Sequence, residues 1–202
     1  MYNKLVASIY DGFMYQAEKQ GLARRRKQLL GPVEGKVLEV GAGTGVNFDY
    51  YPPDTQVIAI EPDPAMYRKA QRKLRDFPNV ELLPLGIGDE ALESEIPAGS
   101  LDAVVCTLVL CTLPEPELSF QLFKKWLKPG GQLRVLEHIR SPRSLTAGLQ
   151  DFFTPPWKRV ALGCHLNRPT DQMIKDAGFQ LKEEKYFSKY FPWYLGVFVN
   201  EG

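Results

Sequence analysis

The segment Val37-Leu38-Glu39-Val40-Gly41-Ala42-Gly43-Thr44-Gly45 constrains this chain more than any other. A buried strand runs directly into three glycines spaced by two. A bend that tight needs positions without Cβ, because the backbone turns through positive φ and a ligand approaches it closely. The expected continuation is a helix from about Thr44, with its free N–H groups aimed at the bound group. Strand-like runs rich in Val, Leu and Ile stand at Lys36–Val40, Gln56–Ile60, Val80–Leu83, 101–106 and 132–137, separated by helical spacing at 64–76 and 115–127. Pro78-Asn79 marks the end of one helix and Lys128-Pro129-Gly130-Gly131 the end of the other. Alternation of this kind predicts a doubly wound α/β sheet. Two last strands, 179–187 and 193–200, are close enough to pair as an antiparallel hairpin. The fold class expected is therefore a Rossmann-like, seven-stranded, mostly parallel sheet ending in a C-terminal antiparallel hairpin.

At 202 residues without repeats, the chain fits one domain over 1–202, with 1–31 as an N-terminal helical lid. Leu5, Ile9 and Phe13 share one face of that prelude. Residues 1–30 carry a local charge of +4 and the other 172 sum to −3, while the whole chain stands at +1. The small net charge points away from nucleic acid. Two readings of the basic run Arg24–Lys27 stay open: a solvated helix face, or peripheral contact with anionic lipid heads. The sequence has no signal-peptide pattern and no apolar run of roughly 18 residues, so a cytoplasmic protein is expected. Cys106, Cys111 and Cys164 form no disulfide framework. With His165 they lack the paired spacing of a zinc site, and no metal is expected.

The spacing of the glycines separates cofactors. A dinucleotide fingerprint requires glycine at position 46, where this chain has Val46. The form seen here, with Glu39 before Gly41, Ala42, Gly43 and Gly45, is expected to bind S-adenosylmethionine, Glu39 lying near its cationic amino group. Glu61 follows the second strand 22 residues later, placed to accept from both ribose hydroxyls, and Pro62 offers a flat face to adenine. Asp89, in the turn after the third strand, is a candidate acceptor for the adenine amino group. Cys106-Thr107-Leu108 ends the fourth strand and is expected to form the floor beneath the sulfonium, although core packing explains its apolarity equally well.

These residues resemble a known family. Leu38-Glu39-Val40-Gly41-Ala42-Gly43-Thr44-Gly45 is similar to the first motif of class I S-adenosylmethionine-dependent methyltransferases, Ile60-Glu61-Pro62-Asp63-Pro64-Ala65-Met66 to the second, and Leu127-Lys128-Pro129-Gly130-Gly131 to the turn before their fifth strand. Val105-Cys106-Thr107-Leu108-Val109-Leu110-Cys111, Leu136-Glu137-His138 and Gly163-Cys164-His165-Leu166-Asn167-Arg168 resemble the methyltransferase-like thiol methyltransferases. The resemblance implies methyl transfer to a small, lipophilic acceptor, with a thiol favoured; phospholipid N-methylation and quinone C-methylation are the alternatives. Animal members of that family carry an apolar N-terminal anchor, and none is expected here.

A thiol acceptor needs help in losing its proton. The two histidines, His138 at the end of the fifth strand and His165, are the candidate bases, His138 foremost because ligands of such sheets gather at that edge. Aromatic residues at 152–157 and 186–194 are expected to be core, or else to roof an apolar acceptor pocket. Two readings of other classes stand beside the enzyme: a nicotinamide dehydrogenase, which Val46 opposes, and a protein that binds S-adenosylmethionine without catalysis.

Overall fold

Continuous apolar runs make central strands because both faces of a parallel sheet are covered by helices. The computed structural model describes residues 18–161, 163–187 and 192–202 and bears this out. The strands are β1 (Lys36–Val40), β2 (Gln56–Ile60), β3 (Val80–Leu83), β4 (Leu101–Thr107), β5 (Leu127–His138), β6 (Gln180–Phe187) and β7 (Trp193–Val199). They form one sheet in the order β3-β2-β1-β4-β5-β7-β6. β1 pairs in parallel with β2 and β4, whereas β7 runs antiparallel to both β5 and β6. The chain reverses its winding between β1 and β4, and in such sheets that switch point is where ligands bind.

One core cluster holds Leu38, Val104, Phe120, Phe123 and Trp126, and the other holds Leu29, Leu30, Val37, Val57 and Val105. Neighbouring residues of β1 fall in opposite clusters, as alternation along a strand dictates. Helices α1 (Ala23–Leu30), α2 (Pro64–Gln71), α3 (Glu90–Glu95), α4 (Pro116–Trp126), α5 (Ser144–Val160) and α6 (Thr170–Asp176) cover the faces. α2 starts cleanly because Asp63 accepts from the N–H groups of Ala65 and Met66 and Pro64 opens the first turn. Edge strand β6 is exposed along most of its length and carries Lys182, Glu183, Glu184 and Lys185, charges that discourage pairing with another chain.

Four expectations change. No α-helix follows the glycine bend; turns lead into a 3-10 helix at Phe48–Tyr50, because Gly45 adopts positive φ and Pro52-Pro53 follow. Residues 128–131 do not merely end a helix but form a bulge within β5, since Leu101 pairs with Leu127 and Ala103 with Gln132. Arg26 is buried rather than solvated, although Arg24 and Lys27 are exposed. Phe152, Phe153 and Trp157 are not core: with Leu145 and Leu149 they form an exposed apolar face of α5. The face predicted for Leu5, Ile9 and Phe13, and the middle of the 186–194 aromatic run, lie outside the described residues.

Candidate active site

The glycine bend leaves β1 at the switch point. Gly41, Gly43 and Gly45 all have positive φ. A Cβ on Gly41 would stand 2.4 Å from Val109 Cγ2, and one on Gly45 would stand 2.6 Å from the Phe48 ring, so both flanks of the bend are closed. Above Gly43 nothing lies within 4 Å. The bend is thus a cradle packed at its sides and open at its centre. Ala42 is buried, and its N–H is bonded to Ile60 O, which joins the bend to the end of β2.

Glu61 borders the opening. Its Oε2 accepts from Gly43 N at 2.8 Å and its Oε1 from Asp63 N at 2.8 Å, leaving each oxygen a second lone pair. Burial raises the Glu61 pKa, with those two N–H groups pulling it back. Pro62 is exposed beside it. Asp89 is exposed and closes a turn by accepting from Gly86 N at 2.6 Å; a Cβ on Gly86 would stand 3.7 Å from Pro62. Glu61, Pro62 and Asp89 therefore line one side of the cradle.

A polar network that sequence reasoning missed fills the other side. Arg26 donates to Glu18, Asn47 and Thr107, and Asn47 donates to Glu39 and Thr107. Thr107 Oγ1 accepts from both Arg26 and Asn47, which fills its two lone pairs and leaves its proton to donate. Glu39 is buried, and its carboxyl is pushed up to about 7 by burial, against the pull of Asn47, Tyr51 and Arg26. Its Oε2 finds no hydrogen-bond partner among the described residues. The only sequence signal for Arg26 was its place at a position of α1 that faces the sheet with Leu22, Leu29 and Leu30.

The ends of β4 and β5 complete the site. Leu108 has φ +57°, the only positive value among the described residues other than glycines. Strain of this kind collects at functional sites. Glu137 is buried and receives the N–H groups of Val109 and Leu110 at 2.8 and 2.9 Å, fixing the loop after Leu108. Burial pushes its carboxyl up to about 7. His138 Nε2 lies 3.0 Å from Cys164 Sγ. Burial disfavours the imidazolium, but Cys164 and Glu137 outweigh it and raise the His138 pKa. His165 is set apart: it is half-buried, its backbone N–H reaches Cys111 O, and burial lowers its pKa.

The fold and this geometry can be compared with known proteins. The model of a methyltransferase domain matches residues 38–133. The thiol S-methyltransferase TMT1B of Homo sapiens is 34% identical over 81% of this chain and 68% of its own length. This chain belongs to the class I S-adenosylmethionine-dependent methyltransferases. The phosphatidylethanolamine N-methyltransferase of Cereibacter sphaeroides is 26% identical over 88% of the methyltransferase described here and 85% of its own length. Among solved structures, the complex between the Haloferax volcanii Trm112 methyltransferase activator and a methyltransferase contains a chain with TM-score 0.74 and 15% identity, covering 100% of this chain and 98% of that one, which shows the shared fold.

The cofactor of this methyltransferase is S-adenosylmethionine, and the residues present fit it. The empty space over Gly43 admits a ligand against the backbone, Glu61 presents a carboxylate beside that space that would accept from ribose hydroxyls, and exposed Pro62 would supply an apolar wall. The methyltransferase acts on a small acceptor. A groove at the opposite edge of the sheet, lined by Pro32, Gly35, Asp102, Lys128 and Arg134, lies at the starts of the strands and is remote from that chemistry.

Proposed function

We propose that this methyltransferase methylates a small lipophilic thiol. The observation that carries the reading is the 34% identity to a thiol S-methyltransferase across four-fifths of the chain. Two structural features support it. The exposed apolar face of α5 ends at Trp157, whose indole contacts the Cys164 sulfur beside His138, which suits an apolar acceptor guided to that edge. His138, the last residue of β5, offers an imidazole at that edge to assist loss of an acceptor proton.

Bound S-adenosylmethionine supplies an electrophilic methyl carbon on a sulfonium. The chain has to align the acceptor with that carbon and keep water away. Glu61 and the glycine cradle hold the nucleoside end. Glu137 fixes the loop of Leu108 to Cys111 through two backbone N–H groups, and so fixes the wall against which the acceptor sulfur lies. His138 assists the loss of the thiol proton.

A lipid amine is the second reading. It is favoured by the coverage of the phosphatidylethanolamine relative and by exposed Arg143, Lys158 and Arg159 flanking the apolar face of α5. Three free cysteines support a reducing compartment, the cytoplasm, for the protein.

The test is turnover with labelled methyl donor on alkyl and aryl thiols, their matched alcohols and phosphatidylethanolamine. Thiols should be methylated and alcohols not, and His138→Ala should lose about tenfold or more. Turnover on phosphatidylethanolamine alone would refute the thiol reading. A loss below about threefold for His138→Ala between about pH 6 and 9 would remove His138 from the chemistry.

A further inference from the structure

Cys111, His138 and Cys164 come from three separate places: the loop after β4, the last residue of β5 and the loop after α5. One donor atom from each lies within 4.8 Å of the other two, and all three residues are buried. A tetrahedral zinc ion, with Zn–S near 2.3 Å and Zn–N near 2.0–2.1 Å, spaces its ligands about 3.5–3.8 Å apart, so these donors stand within about an ångström of that arrangement. Cys106, the remaining cysteine, lies in the core at β4 and is outside the group.

We propose that Cys111, His138 and Cys164 bind one zinc ion, and that its fourth position takes the acceptor thiolate. The second half rests on the thiol reading above; the first half does not. Two thiolates and an imidazole form a donor set that selects zinc among the common divalent ions, and three protein ligands leave a position open for substrate. Two thiolates also neutralise the divalent charge, which suits a buried site.

The ligand loops are held before any ion arrives. His165 N donates to Cys111 O at 2.9 Å, and Cys164 N donates to Ala161 O at 2.9 Å. Arg168 Nη1 donates to Leu110 O and, at 2.8 Å, to Leu113 O, bracing the loop that carries Cys111 from both sides. Ligands locked by surrounding hydrogen bonds are what a precise metal site requires.

The step then balances. The acceptor thiol binds zinc as a thiolate and its proton leaves to solvent. A sulfur lone pair forms the new S–CH3 bond as the methyl–sulfonium bond breaks, the electron pair staying on the departing sulfur. The products are a methyl thioether and S-adenosylhomocysteine. The neutral thioether is a poorer zinc ligand than the thiolate and is released. This scheme replaces the direct proton-accepting role given to His138 above: His138 serves as ligand, and the metal lowers the pKa of the thiol.

The experiment loads the reduced full chain with zinc or cobalt. About one metal per chain is expected, with a thiolate-to-cobalt charge-transfer band and tetrahedral ligand-field bands. Cys111→Ser, Cys164→Ser and His138→Ala should lose them while still binding S-adenosylmethionine, and Cys106→Ser should keep them. Should those variants fail to fold, zinc should still slow alkylation of Cys111 and Cys164 in the unaltered protein. No cobalt uptake, an unchanged spectrum in Cys111→Ser, or alkylation indifferent to zinc would each overturn the site. A lipophilic thiol should shift the cobalt spectrum where its alcohol does not; a spectrum blind to thiols in an enzyme that methylates them would overturn the acceptor half. Metal binding without any thiol turnover would overturn the thiol reading and leave the metal site standing.

Discussion

Arg26 Nη1 lies 2.6 Å from Asn47 Oδ1 and 2.9 Å from Thr107 Oγ1, so one guanidinium from α1 ties the turn after the glycine bend to the end of β4. Glu18 receives the Nε of the same side chain at 2.8 Å. Replacing Arg26 by Ala strands buried Asn47 and Thr107 and removes the partner of Glu18. Loss of a buried, hydrogen-bonded charge costs roughly 3 kcal/mol, or about 6–12 °C in a domain of this size. Thermal melts of Arg26→Ala should show that drop, together with weaker S-adenosylmethionine binding; an unchanged melt would mean the network contributes nothing.

Glu61→Ala should weaken S-adenosylmethionine binding by about one to two orders of magnitude, since hydrogen bonds to a charged acceptor contribute roughly 1.5–3 kcal/mol. Calorimetric titration reads this directly. Unchanged affinity would remove Glu61 from the site.

Gly41 and Gly43 share a backbone conformation but not surroundings, so Ala at the two positions should act differently. Gly41→Ala drives a Cβ into Val109 and should cost roughly 2–4 kcal/mol of stability. Gly43→Ala meets no protein atom, should cost roughly 1 kcal/mol for its positive φ, and should instead obstruct the cofactor. Paired denaturant melts and titrations check the contrast, which equal effects at both positions would erase.

Stability should depend on pH through Glu39. Its folded pKa is about 7, raised chiefly by burial above the ordinary 4.5 of a glutamate, so the folded state binds more protons than the unfolded state between those values. Stability therefore falls as pH rises across that window, by roughly 3 kcal/mol for this one group. Glu137 is raised to about 7 for the same reason and adds in the same direction. Glu39→Gln keeps an oxygen for Asn47 and removes the titration, so its denaturation midpoints at pH 5 and 8 should lie closer together than those of the unaltered protein. Equal spacing in both would contradict the assignment.

The strands were legible because a central parallel strand is a short, uninterrupted apolar run: the expected bounds of β1, β2 and β3 are those observed, and β4 gains only Thr107. The glycine bend was legible because few residues tolerate its backbone. Its continuation is less legible, because the usual strand–helix order predicts a helix where Gly45 and Pro52-Pro53 oppose one. Arg26 looked like part of a solvated run because charge patterning cannot show which member of Arg24–Lys27 faces the sheet. The sulfur cluster was read with the wrong imidazole. His165 is adjacent to Cys164 in sequence, but His138 is 26 residues away and meets the Cys164 sulfur because the loop after α5 returns to the ends of β4 and β5, where His165 N donates to Cys111 O. Spacing along a chain identifies local ligands and is blind to those a topology brings together.

The most direct test of thiol methylation is mass spectrometry of the product formed from a lipophilic thiol and a donor carrying a deuterated methyl group. The label should appear intact on sulfur, as a thioether, with one S-adenosylhomocysteine formed for each. Label recovered on a lipid nitrogen, or donor consumed with no thioether formed, would contradict it.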